Sequence, residues 1–200
     1  MRGISEAMTG LALVIGMTGA QPGPVRAGEV LAEATGNWAG PQGGGFFFRA
    51  TLEREGDGAR LKIWNGTDAV PTGGDPQLDV ADFALTAFAR DVRLEVVDLP
   101  DGSLLQVVVE FADEEAEGRD VVQLRYLDFQ YTIVGYYHLS EFGGQAGGQV
   151  RECDVDAWAG EVVENGTRRA LPPMDFAALN AGGWHSGAAF DRGWCSRFDG

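Results

Sequence analysis

Positive charge is what this chain has least of. Fifteen basic residues stand against thirty acidic ones, a formal net charge of −15. Such a field repels phosphate backbones and anionic lipid head groups alike, which argues against nucleic acid as a partner. Solubility accounts for most of the charge; the partner class it would favour is a basic protein. Lysine is reduced to Lys62 among fourteen arginines, the mark of a GC-rich genome. Histidine is scarce as well: His138 and His185 are the only two, and neither lies in a recognisable motif. A phosphate-cradling G-x-x-x-x-G-K, a dinucleotide fingerprint and the nucleophile elbow G-x-S-x-G are all missing, so the reading is of a protein without cofactor and without enzymatic activity. Residues 154–161 fail as a calcium loop, because Trp158 occupies a ligand position and Ala159 stands where the sharp turn needs glycine, and no metal is expected.

Long hydrophobic runs are also lacking. The apolar stretch at residues 11–17 is far short of the ~20 residues that span a bilayer, so no membrane anchor is expected. With Arg2 before it and small residues at Thr18 and Ala20 after it, the N-terminus has the plan of a secretory signal. Cleavage fits best after Ala20, with Ala27 as the second choice. No lipobox cysteine follows. The expectation is a soluble periplasmic or secreted protein, with residues 28–200 forming a single β-rich domain.

What is abundant is glycine, at 30 residues, and aromatic side chains, at 10%. Both fit strands and turns better than helices. Residues 120–140 hold the densest β-branched and aromatic run, with an alternation that changes parity near Leu127-Asp128 and so predicts a long strand with a bulge or bend there. On this reading Phe129, Tyr131, Ile133, Tyr137 and Leu139 share one face, and Tyr136 and His138 the other. Further strands are predicted at residues 46–53, 59–64, 78–89, 92–97 and 103–111, with a helical turn at 29–34 and a solvated acidic loop at 113–120. Asn65-Gly66 and Asn165-Gly166 are hairpin signals, since both residue types tolerate the positive φ of a tight turn. Short connections imply an antiparallel meander, closing as a barrel or a sandwich. After a flexible link at 143–148, the last third holds a short helix at 172–179 and an irregular tail rich in aromatics. Cys153 and Cys195 are an even pair in an exported chain and are expected to form a disulfide that ties this tail down.

Gly36-Asn37-Trp38, followed by a strand meander, a late helix and a disulfide to the tail, resembles the calycin group of lipocalin-like barrels. The resemblance implies a barrel around a small apolar ligand, with Trp38 plugging its closed end. The ligand-binding candidates are accordingly Trp38, Phe46, Phe48, Tyr131, Tyr137 and His138. Two other functions compete: an envelope interaction module or inhibitor facing a basic enzyme such as a lysozyme, and a hydrolase using His138 or His185 with Ser140 or Ser186.

Overall fold

Alternating apolar residues do build strands here, and the computed structural model, which describes residues 28–114, 116–143 and 148–197, is dominated by them. Residues 1–27, on which the expected secretory signal and both cleavage sites fall, and most of the 143–148 link lie outside the described residues. Eleven strands follow one another: β1 (Val30–Asn37), β2 (Phe47–Glu55), β3 (Gly58–Gly66), β4 (Leu78–Leu85), β5 (Ala89–Leu99), β6 (Gly102–Ala112), β7 (Ala116–Leu127), β8 (Gln130–Phe142), β9 (Gln149–Asp156), β10 (Glu161–Glu164) and β11 (Thr167–Ala170). They form two antiparallel sheets in sequence order, β1 to β4 in one and β5 to β11 in the other. The sheets face each other across one core and do not join into a closed hydrogen-bonded ring among the described residues. No helix of the described residues is long and apolar enough to cross a membrane.

Parity sets the core. Phe48, Ala50 and Leu52 of β2, Leu61 and Ile63 of β3, and Leu105, Val107 and Val109 of β6 recur at every second position on the core face, and in β6 Leu104 and Val108 of the opposite face are buried as well. Beyond the end of the smaller sheet, the C-terminal tail takes over as the cover. Trp184 and Trp194 are buried there, with the Arg192 guanidinium over both rings at 5.4 and 5.3 Å. The short helix α1 (Ala188–Asp191) lies between them in sequence, and the Cys153–Cys195 disulfide fixes the tail to β9.

Several local readings give way to tertiary structure. Residues 120–140 are not one bent strand but two: Asp128 and Phe129 adopt φ of 46° and 64° and turn the chain back on itself, so the parity break marks a hairpin. A true bulge lies further on. Gln123 pairs with Gly135 and Leu124 with Ile133, leaving Val134 unpaired in β8. That extra residue brings Tyr136 and His138 onto the inner face with Tyr131 and Ile133, and turns Tyr137 and Leu139 outward. The 29–34 segment is strand β1, because pairing with β2 supplies the hydrogen bonds a helical turn would have made internally. Residues 78–89 divide at Leu85. The 113–120 loop shrinks as β7 starts at Ala116. Asn65-Gly66 ends β3 opposite Phe48 and Phe47 rather than forming a tight hairpin, whereas Asn165-Gly166 is the expected β10–β11 turn, at φ of 48° and 78°. In place of a helix at 172–179 there is one turn of 3-10 helix, Phe176–Leu179, capped by the Asp175 carboxylate on the Ala178 N–H.

Candidate functional site

Four of the six residues selected from sequence come together at one end of the molecule. Gly36 explains the local motif: a Cβ there would stand 2.7 Å from the Phe48 ring, so only glycine lets β2 close on β1 before Trp38. The Trp38 indole then stacks on Phe48 at 4.0 Å between centroids, with Tyr131 edge-on at 6.1 Å. Phe46 meets this group through Tyr126, a residue not picked out from sequence, at 4.9 Å. Asn65 is the polar clasp of the cluster. Its side-chain oxygen accepts from the Trp38 indole N–H at 3.0 Å, and its amide donates to the Tyr131 hydroxyl at 2.7 Å. Burial, and next to it Tyr126, pushes the Tyr131 phenol up against the smaller opposing effect of Asn65, so it remains a neutral hydroxyl. Trp38, Phe48 and Tyr131 are buried against one another and fill the space between the sheets with their own rings.

Tyr137 and His138 lie elsewhere. On the outer face, the Tyr137 hydroxyl donates to Glu152 at 3.1 Å. His138, turned inward by the bulge at Val134, stands opposite Asp120 of β7. Its Nδ1 is 2.7 Å from Asp120 Oδ1, the atom that also accepts from the Tyr136 hydroxyl at 2.8 Å, and its Nε2 is 3.2 Å from Ser140 Oγ. Phe111 and Phe190 flank the imidazole. This is the wiring of an acyl-transfer triad with the exposure reversed. The Asp120 side chain is 31% exposed and that of His138 13%, while Ser140 is 2% exposed, so solvent reaches the carboxylate end and a carbonyl substrate has no approach to the hydroxyl. His185 sits apart on the tail, 3.4 Å from Asp191, and Ser186 donates to Asp82. Beside His138 a cleft of about 290 Å³ is walled by Arg151, Glu164, Phe190, Ser196 and the disulfide. Glu164 is already committed there: it accepts from the Ser196 N–H at 2.7 Å and hydroxyl at 3.0 Å, and pairs with Arg169.

A second concavity, of about 360 Å³, opens on the outer face of the seven-stranded sheet. Leu99, Leu104, Leu127 and Val134 give it an apolar floor, Gln123 and Arg125 one side, and Asp154 and Asp156 the other. Trp158, in the β9–β10 turn, stands at its edge with 62% of its surface exposed and Phe176 edge-on at 6.3 Å. Leu127 and Val134 belong to the same hairpin whose tip carries Phe129, 93% exposed. Partial burial, then Glu152 and Asp156, hold the Asp154 carboxyl above its ordinary range. In sequence these carboxylates form only a failed calcium loop, and among the described residues no group of three or more His, Cys, Asp or Glu side chains is placed to hold an ion. Alternation within β9 was the available signal: Glu152, Asp154 and Asp156 fall on one face at every second position. No family model matches the chain, and no curated protein or solved structure matches it either.

Proposed function

We propose that the chain is a non-catalytic binding module that takes its ligand on the outer face of the larger sheet and works in an oxidising compartment, periplasmic or secreted. The observation that carries this reading is the groove with Trp158 at its edge, lined in part by the hairpin whose tip carries Phe129. Large aromatic side chains left 62% and 93% exposed contribute nothing to the core, and such residues are favoured anchors of binding surfaces. A small apolar ligand held inside the fold, the expectation drawn from the calycin resemblance, finds its aromatic lining already stacked ring on ring, which moves the site outward. The disulfide is compatible with an oxidising compartment.

A photo-reactive benzophenone side chain installed in place of Trp158, compared with one at Leu85, tests this in the native host. Leu85 is 53% exposed but lies on the smaller sheet. A discrete adduct from position 158 alone is the expected result. Equal labelling from both positions, or none from 158, would overturn it. The hydrolase reading has the Asp120–His138–Ser140 wiring in its favour, and covalent capture of Ser140 by a fluorophosphonate would put it in place of the binding module.

A further inference from the structure

We infer that the occupant of the outer-face groove is a basic, amphipathic segment of a protein partner. This rests on the binding-module reading above and names what such a module would bind. Two chemistries meet in the groove. Its floor, Leu99, Leu104, Leu127 and Val134, offers apolar surface next to the exposed Trp158 indole, whose face attracts cations as well as apolar groups. Along its β9 side, Asp154 and Asp156 project from one strand face about 7 Å apart, the repeat of any extended chain laid beside them, and Glu152 continues the row beyond the groove. Asp154 has no basic partner among the described residues, and it is flanked by like charges. The one cation lining the groove, Arg125, is already held by Asp101, donating to its carboxylate at 3.2 Å and its carbonyl at 3.0 Å. A positive segment would therefore relieve repulsion on the β9 side; the next outer-face cation of β7, Arg119, acts on Tyr137 and does not line the groove. The formal charge of −15 extends the same preference over long range.

Phe129 adds an argument of its own. At φ 64° a bulky side chain is strained, and glycine or asparagine would occupy this turn position at less cost. With the ring 93% exposed, nothing within the fold offsets that strain, and a hydrophobic contact with a partner would. An anionic membrane would satisfy the aromatics but would be repelled by the carboxylates beside them, which favours a protein segment carrying both apolar and basic side chains.

Calorimetry on the mature, oxidised chain tests the inference. The probes are a short synthetic peptide of alternating arginine and leucine, the same peptide with glutamine for arginine, and phosphatidylcholine vesicles. The arginine peptide should bind. Its affinity should fall about tenfold with Trp158→Ala, about fivefold with Asp154→Asn/Asp156→Asn, and steeply when salt is raised to about 0.5 M. Asp68→Asn/Asp75→Asn, which removes the same charge from an exposed loop on the other sheet, should leave affinity unchanged. Equal loss from the two double variants would overturn the local role of Asp154 and Asp156. Trp158-dependent binding of the glutamine peptide, equal to that of the arginine peptide, would overturn the basic occupant while keeping the groove. Capture by vesicles through Phe129 and Trp158, with no peptide bound, would replace the protein segment with a membrane surface. If no probe binds, the inference falls, and the crosslink from position 158 shows separately whether the groove holds a ligand of another chemistry. The Asp→Asn changes are nearly isosteric, and an unchanged urea midpoint confirms that the fold is intact.

Discussion

Phe129 and Asn65 show how a single side chain can be placed against its own local preference. Asp128-Phe129 occupies a two-residue turn in which both residues have positive φ, where Asn-Gly would be favoured. Because the Phe129 ring is almost fully exposed, removing it forfeits no packing, and Phe129→Gly should stabilise the fold by about 0.5–1 kcal/mol, the relieved strain exceeding the added freedom of the unfolded chain. A rise in the urea midpoint at constant m-value checks this; a fall would mean that the ring does contribute within the fold. Asn65 is the opposite case. Its sequence neighbour Gly66 made the pair look like a turn, yet the side chain satisfies two buried aromatic polar groups from different elements. Asn65→Ala leaves the Trp38 indole N–H and the Tyr131 hydroxyl without their partner and should cost about 2–3 kcal/mol in chemical denaturation. No local pattern distinguishes an asparagine that turns the chain from one that bridges two rings, since both rest on the same short amide.

At the scale of elements, alternation located most strands and their antiparallel meander, and missed the reversal and the bulge within residues 120–140. In β7 and β8 a change of parity has two origins, a reversal at Asp128-Phe129 and an extra residue at Val134, and in sequence each is merely a shift by one. The second shift decides which of Tyr137 and His138 faces the interior, so the candidate pair could not be placed without cross-strand register. The β10–β11 hairpin and the tail meet at Glu164. Burial pushes this carboxyl up, but the Ser196 N–H and hydroxyl together with Arg169 outweigh it and hold the group below its ordinary range. A carboxyl lowered in the folded state stabilises the fold above its unfolded pKa, and that contribution is lost as pH falls through the folded value. The thermal midpoint should therefore drop as pH is lowered below the ordinary glutamate range, and Glu164→Gln should flatten that drop. Parallel pH profiles for the two proteins would show that the tail is held by other contacts.

For the whole molecule, the tail replaces a layer of sheet. Past the end of the smaller sheet the inner face of β7 to β9 would be open, and Trp184, Phe190 and Trp194 cover it instead. This segment makes almost no strand pairing, so its order rests on packing and on the disulfide. Closing the 42-residue separation between Cys153 and Cys195 is worth about 4 kcal/mol in the chain-entropy model, and the Cys153→Ala/Cys195→Ala chain should lose up to that amount of stability. Its Trp184 and Trp194 emission should shift to the red before the strand signal in circular dichroism is lost. Simultaneous loss of both signals would mean that the tail and the sheets melt as one unit.

Composition and periodicity by themselves determined that the chain is mainly β, that consecutive strands run antiparallel, and that its two cysteines join, because these depend on residue type, spacing of two and the parity of a count. The Gly36-Trp38 pair was also legible, although its meaning as close packing of Phe48 was not. Only the tertiary structure decided that the sheets stay separate, that Trp38, Phe48 and Tyr131 fill the interior while Tyr137 faces outward, that Asp120, His138 and Ser140 line up with the hydroxyl hidden, and that Trp158 and Asp154 share a groove. Each of these depends on the register of neighbouring strands or on how one sheet and the tail pack against the other sheet. Register is set by the sum of many cross-strand contacts, and no single segment carries it.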